Sequence, residues 1–373
     1  MHKHKMALVL GGGAPNFTLM TGALLAFDEA GVKFDVISAT GGGGGVALSY
    51  LAPKGMSRQD SLRNSVNFGV SDAIYKYIPM NYKVFMKGSK IAAAYRWLLS
   101  KMPGYNLIMN QFNMTKRQKF YSDLIQMVWA LFTPSTVNFF SKGLCANAPF
   151  IMEMVDFEAL KTVEEDVYLN AYNLTDHKMA IFGKDILDYE HFGATLAYPF
   201  IYPPAKVDGK LYLEGAAEDA FNFQGLLEHD EGIRTVVVFD AFGNEGYIQD
   251  PPNLWQAWGQ NLILPLISLT RHDLAFFEHM LDDWNESHPA RQDVELIKVT
   301  FPIPPEWLPT ALDWSRSNLE RMFELGYETG KKFVAEKGVR LGATLPPKPT
   351  PAKGRGGAAK KDDDAMFGGA SIG

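Results

Sequence analysis

The chain begins with a short apolar run at residues 6–10, followed by three glycines, Gly11, Gly12 and Gly13. The run has the length of one buried strand, and the glycines suit a tight turn. Over residues 19–30 the apolar positions recur at helical spacing, and Gly31 supplies a stop. A second strand-like run, residues 34–37, leads into five consecutive glycines at 41–45 and then a helix-like segment at 46–51. Strand, glycine turn, helix and strand in that order open a parallel α/β sheet. Further strands are predicted at 167–172, 179–182, 205–207, 211–213, 235–240 and 294–300. Asp208-Gly209 between two of them signals a hairpin. Residues 315–336 read as a closing helix.

The pattern gives one domain over residues 1–344, an α/β fold with a mostly parallel central sheet and helices on both faces. Residues 68–142 interrupt it as a helical, basic and aromatic insert or cap. Residues 345–373 are rich in Pro, Gly, Lys and Asp and lack the apolar content to order themselves, so a flexible tail is expected.

Composition sharpens this picture. Of 373 residues, 47% are apolar and 21% charged, enough to build a core. A net charge of −6 argues against a general nucleic-acid binder. The single cysteine, Cys145, rules out an internal disulfide. No Cys/His cluster has ligand spacing, so no metal and no other cofactor is expected. The first apolar run is too short for a signal-peptide core. The most apolar stretch, 124–140, is broken by Gln126, Pro134, Ser135 and Asn138, and falls short of the ~18–20 residues of a membrane span. The expected location is the cytoplasm, with the inner face of a membrane as a peripheral site.

The insert carries its own signal. Residues 73–122 hold nine Lys/Arg and no Asp or Glu. Ile91, Tyr95, Leu98 and Met102 fall on one helical face, flanked by bases and aromatics. Lys83, Lys87, Lys90, Arg96, Trp97 and Lys101 are therefore candidates for contact with an anionic membrane surface.

Three segments in order carry a family resemblance. LGGGAPNFTLMTGAL resembles the glycine-rich oxyanion loop and following helix of the patatin-like phospholipases. DVISATGGG resembles their Asp-x-Ile-x-Gly-Thr-Ser-x-Gly elbow. ATLAYPFIYPPAKVDGKLYLEGAAEDA resembles their Pro-Pro stretch, hairpin and Asp-Gly-Gly/Ala. AYNLTDHKMAIF and DWSRSNLERMFELGYETGKK are similar to a further strand and to the closing helix of a bacterial branch, so the likeness spans roughly residues 5–335.

The resemblance implies a patatin-like fold and a serine–aspartate dyad acting on lipid acyl esters, with Gly11, Gly12 and Gly13 as oxyanion loop. Position by position, the family's loop Arg or Lys falls on Asn16, its serine on Gly41 and its aspartate on Glu214. A shifted register puts the serine at Gly43; neither position has a hydroxyl. Thr40 and Ser38 are the nearest substitutes, and Glu214 could activate a water. Three readings follow. One is a catalytically impaired homologue that binds a lipid or acyl chain, or a protein partner, at a membrane. The second is an active lipid acyl hydrolase using Glu214 with a non-standard nucleophile. The third is a structural or scaffold subunit that uses the fold only as an interaction surface, with a protein partner or as a homo-oligomer.

Overall fold

The computed structural model describes residues 4–13, 15–223, 226, 232–243, 245–251, 254–287 and 293–344. The expected tail at 345–373 lies outside them. Among the described residues, eight strands form one sheet: β1 (Lys5–Leu10), β2 (Val36–Ala39), β3 (Asp166–Asn173), β4 (Lys178–Gly183), β5 (Ala205–Val207), β6 (Lys210–Glu214), β7 (Ile233–Asp240) and β8 (Glu295–Thr300). Their order is β5-β6-β3-β2-β1-β7-β8, with β4 also on β3. The pairs β3-β2, β2-β1, β1-β7 and β7-β8 are parallel, while β4 and β6 lie antiparallel to β3. Asp208 and Gly209 both have positive φ, 48° and 80°, as a tight β5–β6 hairpin turn requires.

The central strands are apolar on both faces because both are covered. Leu8, Leu10, Ile37, Ala39, Val237 and Phe239 point into one core. Ala7, Val9, Val36, Val236 and Val238 point into the other, with Phe277 and Leu281 of the long helix Leu254–Ser287. The first core takes α1 (Phe17–Glu29), α2 (Gly41–Leu51) and the closing helix Arg316–Lys337. There α1 and the closing helix meet backbone to backbone: a Cβ on Gly22 would run into Phe323 O, and one on Gly326 into Leu19 O.

One boundary differs from the sequence reading. The five glycines do not form a turn ahead of the helix; they are its first turns. Glycine's poor helix propensity is overridden by contact. A Cβ at Gly43 would fall on the carbonyl oxygens of Leu10 and Gly11, so only glycine lets α2 start against the end of β1.

The insert is helical, with α3 (Arg58–Asn64) leading into it and α4 (Asp72–Tyr75), α5 (Lys90–Ser100), α6 (Tyr105–Met109) and α7 (Lys116–Phe132) within it. It is fastened at Asp123, fully buried, which accepts from Lys83 at 2.6 Å, Arg316 at 2.8 Å, Gln111 and Ser71. Burial opposes charge on Asp123, but Lys83 and Arg316 outweigh it and hold the carboxyl down at about 2. Asp72, the other acid bordering the acid-free stretch, accepts from Ser317. Both borders are thus pinned to the start of the closing helix.

This knot corrects one expectation: Lys83 is buried in an ion pair and is not a membrane contact. Lys87 and Arg96 are half-buried, whereas Lys90 and Lys101 are exposed. On α5 the buried residues are Ala92 and Leu99, while Ile91, Trp97 and Leu98 are each about 60% exposed. The more apolar side of that helix faces outward. Among the described residues no helix is long and apolar enough to cross a membrane.

Candidate functional site

The site is built where β2 stops. Leu169 of β3 pairs with Ala39 of β2, and two residues on, Ala171 pairs with Glu214 of β6. Both residues also pair with β4, so β2 and β6 share the remaining edge of β3 in succession. The end of β6 therefore arrives just beyond the end of β2, beside the start of α2. That register brings Glu214 against Gly41, 173 positions apart in sequence.

Gly41 has φ +49°, the left-handed region that an L side chain enters at about 1–2 kcal/mol. A Cβ built on it would lie 3.1 Å from Glu214 Cδ, closer still to Oε1, and 3.7 Å from Gly12 Cα. The glutamate carboxyl thus fills the space a side chain at 41 would need. Gly12 lies on the same spot, its own Cβ direction leading to Glu214 Oε1 at 3.8 Å and to the Thr40 methyl at 3.7 Å. Gly41, Gly12, Thr40 and Glu214 are therefore brought together. The alternative register fails sterically, since Gly43 has no room for any side chain.

The neighbouring hydroxyls are committed or withdrawn. Ser38 is fully buried and donates to Asn222 O at 2.8 Å. Thr40 is fully buried, its Oγ1 has no hydrogen-bond partner, and it does not line the cavity described below. Asn16 is also buried and donates to Tyr247 Oη at 2.8 Å, so it brings no charge to the loop. Of the loop amides, Gly12 N–H is donated to Ala220 O at 3.2 Å. At the start of α2, the N–H groups of Gly43 and Gly44 both turn back to Thr40 O, leaving those of Gly41 and Gly42 as first-turn donors without an intrahelical acceptor.

An apolar cavity of about 200 Å³ opens from this point. Gly42, Gly45, Val46 and Ser49 line it at i, i+3, i+4 and i+7, so it follows one face of α2 for about 10 Å. Phe17, Phe85, Phe150 and Trp314 close its sides, and among the described residues Glu214 is the one ionisable carboxyl in its wall. Burial alone raises the Glu214 pKa from 4.5 to about 8. At neutral pH the group is a carboxylic acid, able to donate a hydrogen bond. Burial, and secondarily Glu214, also raise the pKa of Tyr198, which lines the same mouth.

The sequence reading found the ends of this site but not its walls. Tyr198 lies inside the AYPF segment and was within reach. Phe85 comes from the insert and Trp314 from the turn just before the closing helix, and no local pattern joins them to residues 41 and 214. Among the described residues no group of three or more His, Cys, Asp or Glu could hold a metal ion.

A glycine-rich strand–helix elbow under a facing carboxyl thus opens on an apolar cavity, in an α/β fold of the acyl-hydrolase-like kind. The chain belongs to the patatin-like phospholipase family, whose pattern matches residues 8–227. No curated protein matches it. Among solved structures it is similar to VipD from Legionella pneumophila, at 13% identity and a TM-score of 0.37 over 90% of this chain and 67% of that one.

Proposed function

We propose that this protein is a catalytically impaired patatin-like homologue that holds a lipid acyl chain in its cavity without cleaving it. The observation that carries the reading is the Gly41–Glu214 contact. The position facing the carboxyl has no side chain, and the carboxyl occupies the space where a nucleophile would stand. Covalent catalysis needs a nucleophile within hydrogen-bond reach of a base. Here Glu214, protonated, is suited instead to donate to a ligand carbonyl or carboxylate, while the tail lies along α2.

The insert supports a membrane-surface setting. Trp97 is 63% exposed with Lys101 over its ring, and Phe139 and Phe140 are among the most exposed apolar residues of the chain. Amphipathic surfaces of this kind rest in the headgroup region.

The test is extraction and mass spectrometry of lipid from purified protein, followed by binding of a fluorescent fatty acid to delipidated protein. Co-purifying acyl lipid, saturable binding weakened by Ser49→Trp, and no ester turnover are expected. Strong hydrolysis by the wild-type protein would sink the proposal. One observation favours a second reading. A carboxyl titrating at about 8 is poised as a general base near neutrality. Turnover that rises through that pH and vanishes in Glu214→Gln would establish water activation.

A further inference from the structure

A second cavity, about 180 Å³, lies wholly within the insert, with Phe85 as a wall common to it and the first. Its lining is mainly apolar and soft, with Met80, Met86, Met109, Met127 and Leu99 prominent. Methionine walls adapt to a flexible tail. Tyr105 and Trp129 stack on each other at 5.8 Å along the same wall.

The charged groups in its wall are cations. Besides Lys83, already paired with Asp123, the cavity is lined by Lys87 and Arg96. Lys87 Nζ donates to the carbonyls of Leu131 and Thr133 at 3.1 and 2.9 Å, and Arg96 Nη1 donates to Lys87 O at 2.7 Å. Among the described residues neither has a carboxylate partner. Arg96 is half-buried, and burial lowers its pKa, the groups working against this being the phenols of Tyr189 and Tyr105. Glu153 accepts from Tyr105 Oη at 3.0 Å. A half-buried guanidinium without a counter-ion, in the wall of an apolar cavity, asks for an anion attached to a tail.

We infer that the insert carries a second ligand site, for a single-chain anionic amphiphile whose head sits on Arg96 and Lys87 and whose tail fills the methionine-lined cavity. Apart from the shared wall at Phe85, the site stands on different residues from the Glu214 cavity and does not depend on the function proposed for it. A carboxylate and a phosphate head share the required chemistry.

Photo-crosslinking of the delipidated full chain tests this. The probes are dodecanoate, dodecyl phosphate and dodecanol, each with a diazirine in the tail, and the labelled peptides are mapped by mass spectrometry. Both anionic probes are expected to label peptides bearing Met109 and Met127, the more strongly labelling one identifying the head. Dodecanol should label them at least tenfold less. Arg96→Gln should lose at least tenfold of the anionic labelling, Arg96→Lys should retain most of it, and Ala130→Phe, which fills the cavity, should abolish it. Thermal melts verify that each variant is folded. Equal labelling by dodecanol, undiminished labelling in folded Arg96→Gln, or crosslinks confined to peptides of the Glu214 cavity would overturn the assignment.

Discussion

Restoring a serine at position 41 should not by itself restore a reactive nucleophile. Ordinary contact between carbon atoms is about 3.5–4.0 Å. A Cβ at 41 stands 3.1 Å from Glu214 Cδ, a shortfall of about 0.4–0.9 Å, and the overlap with Oε1 is worse. The left-handed φ of 49° adds about 1–2 kcal/mol for any L residue. Gly41→Ser must therefore push the glutamate out of the site or distort the elbow. Removing one methylene draws the carboxyl back by about 1.5 Å, one C–C bond, which exceeds the shortfall. Gly41→Ser with Glu214→Asp should then fit.

The assay is intact-mass detection of a fluorophosphonate adduct over time. Wild type should give none, Gly41→Ser little, and the double variant an adduct formed at least tenfold faster than in the single variant. If Gly41→Ser labels as fast as the double variant, with an unchanged melting temperature, the steric reasoning is wrong.

Glu214 also sets a pH dependence. Its folded pKa, about 8, lies above the ordinary 4.5, so between these values the folded protein keeps a proton that the unfolded chain releases. Stability must fall as pH rises through that window, by on the order of 5 kcal/mol at 1.36 kcal/mol per unit, and urea midpoints from pH 5 to 9 should flatten in Glu214→Gln. Asp123→Asn leaves Lys83 and Arg316 buried without their shared anion and should cost about 3–5 kcal/mol in urea unfolding, against near-neutrality for a surface change such as Asp156→Asn. Phe139→Ser with Phe140→Ser should weaken co-sedimentation with anionic phospholipid vesicles without lowering the melting temperature, since both rings are about 90% exposed or more.

Strands β1 and β7 were legible because each is built on a continuous apolar run, residues 6–10 and 236–239. Residues 6–10 and 235–240 fall within a residue or two of β1 and β7 for that reason. The start of α2 was not, because what demands glycine at 43 is the proximity of the Leu10 and Gly11 carbonyls, a tertiary fact. Gly41 and Glu214 could be named from motif order, but not their collision, which depends on β6 following β2 along one edge of β3. Lys83 was misjudged because its counter-ion, Asp123, stands forty residues away and just outside the acid-free stretch, and because Arg316 joins them from the far end of the chain.

The fastening of the insert has a consequence for how the chain is made. Asp123 and Arg316 are 193 residues apart. At about 5–20 residues per second, the ribosome takes about 10–40 seconds to deliver the arginine after the aspartate. Through that interval the α5–α7 segment has emerged with its cations and outward apolar residues, but the clamp that seats it does not yet exist. The nascent protein therefore presents an unseated basic, aromatic segment before its body is complete.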